Sequence, residues 1–327
     1  MSSSPSSSTP LLNISNLSVE YAFEGMTVKA VNNVSLTIPS QGYTLGVVGE
    51  SGSGKTTLGM SIMRAIERPG RISSGKIEFQ GRDVLRMSEG ELKKYRWSDV
   101  SIVFQSAMNS LNPVKTVSSP IIEILRDHTK ISRSEAKARA ISLLQEMQVD
   151  PRRAKAYPHE FSGGMKQRVV IALALALSPK LLIADEPTSA LDVVVQKQIL
   201  KMLRNEVKER NLSLIFITHE IPLLVDLVDN IAVMKSGEVV EMGPLNKVLR
   251  EPLHPYTQML LGTLLSMKTP KESVFAPASE PVKSVTRAPN SCIYSDNCAY
   301  VFDRCREEDP VLKEIEPGRW VACHKHN

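Results

Sequence analysis

A glycine-rich segment is the first place in this sequence where chemistry is expected. Residues 49–56 read Gly-Glu-Ser-Gly-Ser-Gly-Lys-Thr and lie between the apolar run 43–48 and a helical pattern. Glycines let successive backbone N–H groups turn toward phosphate oxygens, and the helix N-terminus adds partial positive charge. The pattern predicts a nucleotide phosphate loop, in which Lys55 neutralises the β- and γ-phosphates and the Thr56 hydroxyl binds Mg²⁺. The alternative, an ordinary glycine turn, is disfavoured by the full match in this context.

Two adjacent carboxylates follow a second apolar run. Asp185 and Glu186 come directly after Leu-Leu-Ile-Ala at residues 181–184. Consecutive side chains at a strand end point in different directions. Asp185 is therefore expected to hold Mg²⁺ through water, while Glu186 faces the attacking water as a general base. A strand capped by two solvated acids is the alternative for the pair taken alone.

A histidine and a glutamine also follow apolar runs. His219 ends the run 214–218, and Gln105 ends the run 101–104. Ligands of α/β sheets gather at the carboxyl ends of the strands, so His219 is expected near the terminal phosphate. Without the other motifs, each side chain is more typical of a structural histidine or a solvated amide.

A second glycine loop precedes the helical pattern of residues 167–177. Residues 161–168 read Phe-Ser-Gly-Gly-Met-Lys-Gln-Arg, which places a small hydroxyl and two glycines directly before a helix. Such a helix start is a second anion site. One domain does not need two such sites for one nucleotide. We therefore expect this loop to cover a nucleotide that a partner chain holds.

The elements that must position these residues predict an α/β fold. Short β-prone runs alternate with turns over residues 11–48, and helical spacing dominates residues 118–156. A strand at 181–184, a helix at 193–210 and a strand at 212–218 predict one βαβ-like unit. Beyond residue 243 the apolar pattern weakens.

Composition and charge limit the classes of protein that this chain can represent. The 327 residues are 42% hydrophobic and 23% charged, which is ordinary for a soluble globular protein. The net charge is +5, and the sequence contains no stripe of basic residues of the kind that binds nucleic acid. The longest apolar run, 169–177, is much shorter than the roughly 20 residues of a spanning helix. Residues 1–10 predict a disordered polar tail and not a signal peptide. We expect a chain that stays in the cytoplasm and relies on partner subunits for membrane work.

Four cysteines are clustered near the end of the chain, at Cys292, Cys298, Cys305 and Cys323. Clustered cysteines in a cytosolic chain indicate a metal site. Their spacings are longer than those of typical zinc pairs, and four thiolates suit an iron–sulfur cluster, but spacing alone does not decide. Unligated cysteines are the alternative, and His324 and His326 are possible substitute ligands. The region has few apolar residues, so a metal staple is expected to order it.

Together the motifs make residues 11–243 resemble the nucleotide-binding subunits of ABC transporters. The resemblance implies an α/β fold of the ABC type, with a RecA-like P-loop core, an antiparallel β subdomain, a helical subdomain and a small cysteine-rich C-terminal extension. It implies a domain at 11–250, with the helical subdomain at about 106–160, and an extension at 251–327 with the metal-binding region. Within that extension, residues 268–289 are rich in Pro, Ser and Lys and are predicted to be a linker.

The resemblance also implies roles for individual residues. Tyr21 would stack on adenine, with local strand packing as the alternative, and Met165 stands where many members have glutamine. Asp192 resembles a D-loop residue, although it could simply cap the next helix. The implied ATP contacts are Tyr21, Gly49, Ser51, Gly52, Ser53, Gly54, Lys55, Thr56 and Thr57; the Mg²⁺ ligands are Thr56, Gln105 and Asp185; the catalytic residues are Glu186, His219 and Gln105; and the signature loop acting across a dimer is Ser162, Gly163, Gly164 and Met165.

The segment 253–261, Leu-His-Pro-Tyr-Thr-Gln-Met-Leu-Leu, followed by the cysteines, resembles the oligopeptide/dipeptide permease ATPases. In some of those, four cysteines hold a [4Fe–4S] cluster. The resemblance implies ATP, Mg²⁺ and such a cluster as cofactors. It implies as partners a related second ATPase, two transmembrane permease subunits and an extracellular or periplasmic solute-binding protein, and it places the chain peripherally on the cytoplasmic face of the membrane.

Three alternatives stay open. The cargo of the importer is a peptide, an oligosaccharide or nickel. The chain could instead be a soluble ABC ATPase that acts on ribosomes or nucleic acid, but those usually carry two nucleotide domains or a long coiled coil. A redox sensor is the third possibility. The cysteines are far in sequence from every ATP motif, so a cluster there is expected to be structural and not to carry electrons during hydrolysis. Replacing Cys298 by serine is expected to loosen the C-terminus and to spare ATP binding.

Overall fold

The computed structural model describes residues 9–23, 25–105, 107–266 and 291–326. Most of the predicted tail at 1–10 and all of the predicted linker at 268–289 lie outside the described residues. Within the described ranges, none of the helices has the length and apolarity needed to cross a bilayer.

Two sheets and the helices around them make up the described structure. The strands are β1 (Leu12–Phe23), β2 (Met26–Ile38), β3 (Thr44–Val48), β4 (Gly70–Phe79), β5 (Arg82–Asp83), β6 (Val100–Val103), β7 (Leu181–Asp185), β8 (Ser213–Thr218), β9 (Asn230–Lys235), β10 (Glu238–Pro244), β11 (Lys313–Glu316) and β12 (Arg319–Val321). The α-helices are α1 (Lys55–Ile62), α2 (Glu89–Ser98), α3 (Ser119–His128), α4 (Arg133–Glu146), α5 (Gly163–Ala174), α6 (Val193–Glu209), α7 (Leu245–Arg250), α8 (Pro255–Ser266) and α9 (Asp303–Glu307).

The larger sheet positions the predicted ATP motifs. Its strand order is β11-β12-β10-β9-β3-β8-β7-β6, and the five strands from β9 to β6 pair in parallel. β3, β7 and β8 are buried along their whole length, as expected for parallel strands covered on both faces. The predicted βαβ unit is confirmed, because β7 and β8 are parallel neighbours. The carboxyl ends of these strands share one edge, so the residues that follow them meet there.

The smaller sheet is antiparallel, with strand order β2-β1-β4-β5. Tyr21 lies near the end of β1, opposite Val28 of β2 and Gly70 of β4. The buried faces of this sheet and the large sheet share one apolar core, which includes Leu17, Phe79 and Ile183. The sheet carries Tyr21, which lines a cavity together with Thr56 and Thr57 at the end of the phosphate loop.

A helical layer lies between β6 and α5 in the chain. The helix α4 begins with a capping box, in which Ser132 and Glu135 satisfy each other's backbone N–H groups. Its apolar face packs against α3 and α5. The fold thus has the predicted core, antiparallel sheet and helical subdomain.

The C-terminal extension joins the large sheet. In β12, Trp320 and Val321 pair with Met242 and Glu241 of β10. The weak apolar patterning after residue 243 did not predict β11 and β12, which are short strands that pair β12 with β10 and β11 with β12. The domain boundary at residue 250 stays a prediction.

Candidate active site

The phosphate loop leaves β3 and enters α1 as predicted. Gly54 has φ of +96°, and a Cβ there would lie 2.1 Å from the carbonyl oxygen of Ala30, so only glycine fits. Lys55 Nζ donates hydrogen bonds to the carbonyl oxygens of Gly49 and Glu50, each at 2.8 Å. The lysine ammonium therefore already lies within the curl of the loop. Burial lowers the pKa of Lys55, and nearby carboxylates, above all Glu186, oppose that shift.

The carboxylate of Glu186 brings three predicted residues together. Its Oε1 lies 2.8 Å from His219 Nδ1, and its Oε2 accepts a hydrogen bond from Gln105 Nε2 at 2.9 Å. The backbone of Glu186 has φ of +43°, a left-handed conformation that is uncommon for a residue other than glycine. This left-handed residue directly follows β7, at the edge where Gln105 and His219 reach its carboxylate. Strained backbone of this kind often occurs at functional sites.

Asp185 is arranged as a ligand for a hard cation. The side chain is buried, and the Thr56 hydroxyl hydrogen-bonds to it. Its Oδ1 has no hydrogen-bond partner among the described residues. Burial raises the pKa of Asp185, against the opposing effects of Thr56 and Lys55. An unpartnered buried carboxylate oxygen beside a hydroxyl fits Mg²⁺, which takes oxygen ligands.

Two adjoining cavities have the size of a nucleotide site. The first, about 730 Å³, is lined by residues 48–57 together with Gln105, Glu186, His219 and Leu260, among others. The second, about 450 Å³, shares Thr56, Thr57 and Gln105 with it and extends to Tyr21 and Asp185. Both volumes are in the range of small-molecule sites.

Tyr21 lies at a cavity wall and also packs locally on its strand, so stacking on adenine stays a prediction. Its ring lines the second cavity, where a base stacked on it would lie, and it also stacks on Phe23 with centroids 6.3 Å apart. Local strand packing is therefore real, and it leaves the ring at the cavity wall.

The second glycine loop lies apart from this chain's own phosphate site. Ser162 caps α5, with its Oγ accepting a hydrogen bond from the N–H of Met165 at 3.4 Å. Ser162 and Gly163 are exposed, whereas Gly164 packs so closely that a Cβ would lie 2.4 Å from Val195. Among the described residues that line the two cavities, none comes from this loop.

Asp192 acts as a helix cap in this chain. Its carboxylate accepts hydrogen bonds from the N–H groups of Val194 and Val195, at 3.1 and 3.0 Å. The capping alternative thus accounts for its contacts, and a D-loop role stays a prediction.

The four cysteines meet around one small cavity. Cys292, Cys298, Cys305 and Cys323 line it together with His254, Tyr294 and His324, among others. Backbone N–H groups of Tyr294, Tyr300 and Lys325 donate to the sulfur atoms of Cys292, Cys298 and Cys323. Burial raises the pKa of the Cys292 thiol to about 11, and the neighbouring thiols add to that shift.

This convergence is looser than a closed metal site. In the described part of the chain, no group of three or more His, Cys, Asp or Glu side chains is placed to hold a metal ion, and all four cysteines are free thiols. His324 Nε2 contacts the carbonyl oxygen of Glu308, and His326 Nε2 contacts that of Leu253. The iron–sulfur cluster therefore stays a prediction, and each of the two histidines has another partner in this chain.

One residue of the site was missed by sequence reasoning. The hydroxyl oxygen of Tyr256 accepts a hydrogen bond from the backbone N–H of Glu50, at 3.2 Å. Tyr256 belongs to the His-Pro-Tyr segment that carried the family resemblance, but no local pattern shows that it reaches the phosphate loop. Leu260, one turn further along α8, lines the larger cavity.

Comparison with known proteins finds ABC transporter families and structures similar to this chain. A family described as ABC transporter matches residues 31–189, and one described as oligopeptide/dipeptide transporter, C-terminal region, matches residues 240–305. The dimeric structure of MJ0796, a bacterial ABC transporter cassette, superimposes with a TM-score of 0.64 at 29% identity, covering 72% of this chain and 98% of that one.

Relatives that match nearly the whole chain are ATP-binding proteins of peptide transporters. The dipeptide transport ATP-binding protein DppD of Escherichia coli (strain K12) is 42% identical over 318 residues, which is 96% of each chain. The oligopeptide transport ATP-binding protein OppD of Bacillus subtilis (strain 168) is 38% identical over 316 residues, covering 96% of this chain and 88% of that protein. The chain is an ABC-type ATPase. It belongs to the family of oligopeptide/dipeptide ABC transporter ATP-binding proteins.

Proposed function

We propose that this chain is one of two ATPase subunits that drive peptide import through a pair of transmembrane permease subunits. The observation that carries the ATPase mechanism is the Glu186 carboxylate, held between Gln105 and His219 at the wall of the phosphate cavity. The names of the two relatives, which transport dipeptides and oligopeptides, support a peptide cargo. Oligosaccharides and nickel are the alternative cargoes. As a partner of permease subunits, the chain would lie peripherally on the cytoplasmic face of the membrane.

Each residue of the site has a defined task in hydrolysis. The N–H groups of the phosphate loop and Lys55 bind the phosphates, and Lys55 exchanges its carbonyl partners for phosphate oxygens. Thr56, Gln105 and Asp185 would hold Mg²⁺, which supplies positive charge to the phosphates. Glu186 accepts a proton from the attacking water, and His219 fixes the orientation of the Glu186 carboxylate.

The second glycine loop of this chain acts on the ATP that a partner chain holds. Ser162 and Gly163 are exposed and offer a helix N-terminus, and the cavities of this chain do not use them. Two chains arranged head to tail would each place this loop over the ATP of the other, with the site complete only in the dimer. We infer that the partner is a related but different ATPase chain.

A reconstituted transporter tests this function. The chain is combined with its permease subunits, partner ATPase and solute-binding protein in lipid vesicles, and ATP hydrolysis and uptake are measured with di- and tripeptides, oligosaccharides and Ni²⁺. Uptake and stimulated hydrolysis with peptides alone are expected. Stimulation by a sugar or Ni²⁺ and not by peptides would refute the peptide cargo, and ATPase activity stimulated only by ribosomes would refute the transport role.

Glu186→Gln tests whether Glu186 is the general base of hydrolysis. The amide keeps the size of the side chain but cannot take the proton of water, so a loss of turnover by about 100-fold or more is expected, with ATP binding retained. Hydrolysis at the wild-type rate by the assembled variant would show that Glu186 is not the base.

We also propose that Cys292, Cys298, Cys305 and Cys323 hold a [4Fe–4S] cluster with a structural role. Support comes from their convergence on one cavity and from three backbone N–H groups that point at sulfur, since such hydrogen bonds stabilise thiolate ligands. Burial, with a smaller effect of the neighbouring thiols, raises the pKa of Cys292, and a bound metal would offset both effects because coordinated thiols lose their protons. Anaerobically purified protein should be brown, with about four iron and four sulfide per chain. Colourless protein with stoichiometric zinc would overturn the cluster.

A further inference from the structure

Tyr256 connects the phosphate loop to the C-terminal extension. Its side chain is buried near the start of α8, and its hydroxyl accepts the N–H of Glu50, the second residue of the loop. Lys235 Nζ lies 4.9 Å from the centroid of the Tyr256 ring and 2.6 Å from the Glu50 carboxylate. Glu50 is therefore held at its backbone by Tyr256 and at its side chain by Lys235, which itself rests on the same ring.

The other side of Tyr256 faces the cysteine segment. Tyr294, between Cys292 and Cys298 in the sequence, packs edge-on against Tyr256, with ring centroids 5.5 Å apart and planes inclined by 60°. Tyr294 and His254 both line the cysteine cavity. The His-Pro-Tyr segment thus turns His254 toward the cysteines and Tyr256 toward the phosphate loop.

The backbone between these two side chains is rigidly held. The His254 N–H donates to the buried carboxylate of Glu241 at 3.0 Å, and His254 Nδ1 accepts the N–H of Tyr256 at 3.0 Å. Burial lowers the pKa of His254 to about 3, so the imidazole is neutral at pH 7 and its Nδ1 remains available as an acceptor. Tyr256 is therefore linked through His254 to the Glu241 carboxylate of β10, independently of the phosphate loop.

We propose that Tyr256 is a positioning residue for the phosphate loop and that Tyr294 supports it from the cysteine segment. A phosphate loop binds tightly when its N–H groups are oriented before the nucleotide arrives, because less ordering is then required on binding. Tyr256 supplies that orientation at the start of the loop, and close packing transmits the position of Tyr294 to Tyr256. The proposal rests on ATP binding at this loop, as proposed above. It opposes the expectation that the cysteine region is separate from the ATP site.

Tyr256→Phe tests the hydroxyl directly in the full-length protein. The ring and its contacts remain, while the Glu50 N–H loses its acceptor. The dissociation constants for ATP and ADP, measured by calorimetry, are expected to rise about three- to tenfold. In the reconstituted transporter the KM for ATP should rise by the same factor while kcat stays within about twofold, because the residue does not contact the reacting atoms.

Tyr95→Phe is the matched control. Tyr95 is equally buried, and its hydroxyl donates to the carbonyl oxygen of Ile62 at 2.9 Å, at the end of α1. Its replacement removes a buried tyrosine hydrogen bond from the other apolar core without touching the loop start. The control is expected to lower the melting temperature and to leave nucleotide affinity unchanged. Equal affinity of Tyr256→Phe and the wild type would overturn the proposal.

Two variants of Tyr294 test the support from the cysteine segment. Tyr294→Leu loses the ring that packs on Tyr256 and should weaken ATP binding, whereas Tyr294→Phe keeps the ring and should restore it. Affinity that is unchanged in Tyr294→Leu, or equally poor in both variants, would refute the ring contact. These two variants also carry the test if Tyr256→Phe does not fold. A wild-type chain that fails to bind ATP would refute the proposed function itself.

Discussion

Replacing Arg319 by methionine removes the positive partner of a carboxylate that has no contact with solvent. Glu241 is 0% exposed, and its two oxygens accept the N–H groups of Leu253 and His254 at 3.0 Å each. Arg319 Nη2 lies 3.5 Å from Glu241 Oε1 and also donates to the carbonyl oxygen of Glu251. The pair therefore joins β10, β12 and the segment before α8.

The expected cost follows from what remains after the substitution. Removing one partner of a buried ion pair costs about 3–5 kcal/mol, because the other charge stays buried. Glu241 keeps two N–H donors, and the contact with Arg319 is long, so we expect the lower end, about 3 kcal/mol. Methionine fills most of the volume of the arginine stem, so little of this cost comes from a cavity.

Hydrogen exchange is the appropriate assay, since a chain of this size does not unfold in one step. A loss of about 3 kcal/mol in local opening free energy raises exchange of the β10–β12 amides by about 150-fold. Lys247→Met is the control, because Lys247 pairs with Glu316 at 3.0 Å and both side chains are half-exposed. Such pairs are worth about 0–1 kcal/mol, so exchange should rise by less than about fivefold. Exchange in Arg319→Met no faster than in Lys247→Met would refute the reasoning.

Two further substitutions test the site. Burial raises the pKa of Asp185, so its deprotonation destabilises the fold as the pH rises from the ordinary aspartate pKa of about 3.9 toward the raised pKa. At pH 7, nucleotide-free Asp185→Asn should therefore melt at a higher temperature than the wild type, while Mg²⁺-dependent hydrolysis falls by at least about tenfold; a lower melting temperature would contradict the role of burial. In Gly163→Leu, the new Cβ meets only flexible side chains of this chain, Leu191 at 3.3 Å and Met108 at 3.7 Å. The isolated variant should bind ATP with wild-type affinity but fail to associate with the partner ATPase in light scattering; loss of ATP binding by the isolated chain would contradict action across a dimer.

Local motifs predicted which residues meet at the edge of the large sheet. The phosphate loop, the Asp185–Glu186 pair and His219 each directly follow a buried strand, and the rule that parallel strands end at one edge was enough to expect them together. The contact of Gln105 with Glu186 agrees with the family resemblance, which supplied its role. The left-handed backbone at Glu186 had no sequence signal, because non-glycine residues rarely adopt it.

The cysteines show what cannot be predicted from the spacing of residues in the sequence. Their grouping in the sequence predicted a common site, and all four do line one cavity. What they ligate is not readable from spacing, because several metals and free thiols accept similar arrangements. The described side chains likewise form no closed metal site.

The sequence by itself determined the nucleotide chemistry, because residues that bind phosphate are adjacent in the chain and require particular residue types. Only the tertiary structure decided how the C-terminal extension relates to that chemistry. Tyr256 meets Glu50 across 206 residues of sequence, and Arg319 meets Glu241 across 78. Periodicity encodes which face of a strand or helix is buried, but not which distant segment covers it. That choice depends on packing and on the pairing of buried polar groups, which exist only once the chain has folded.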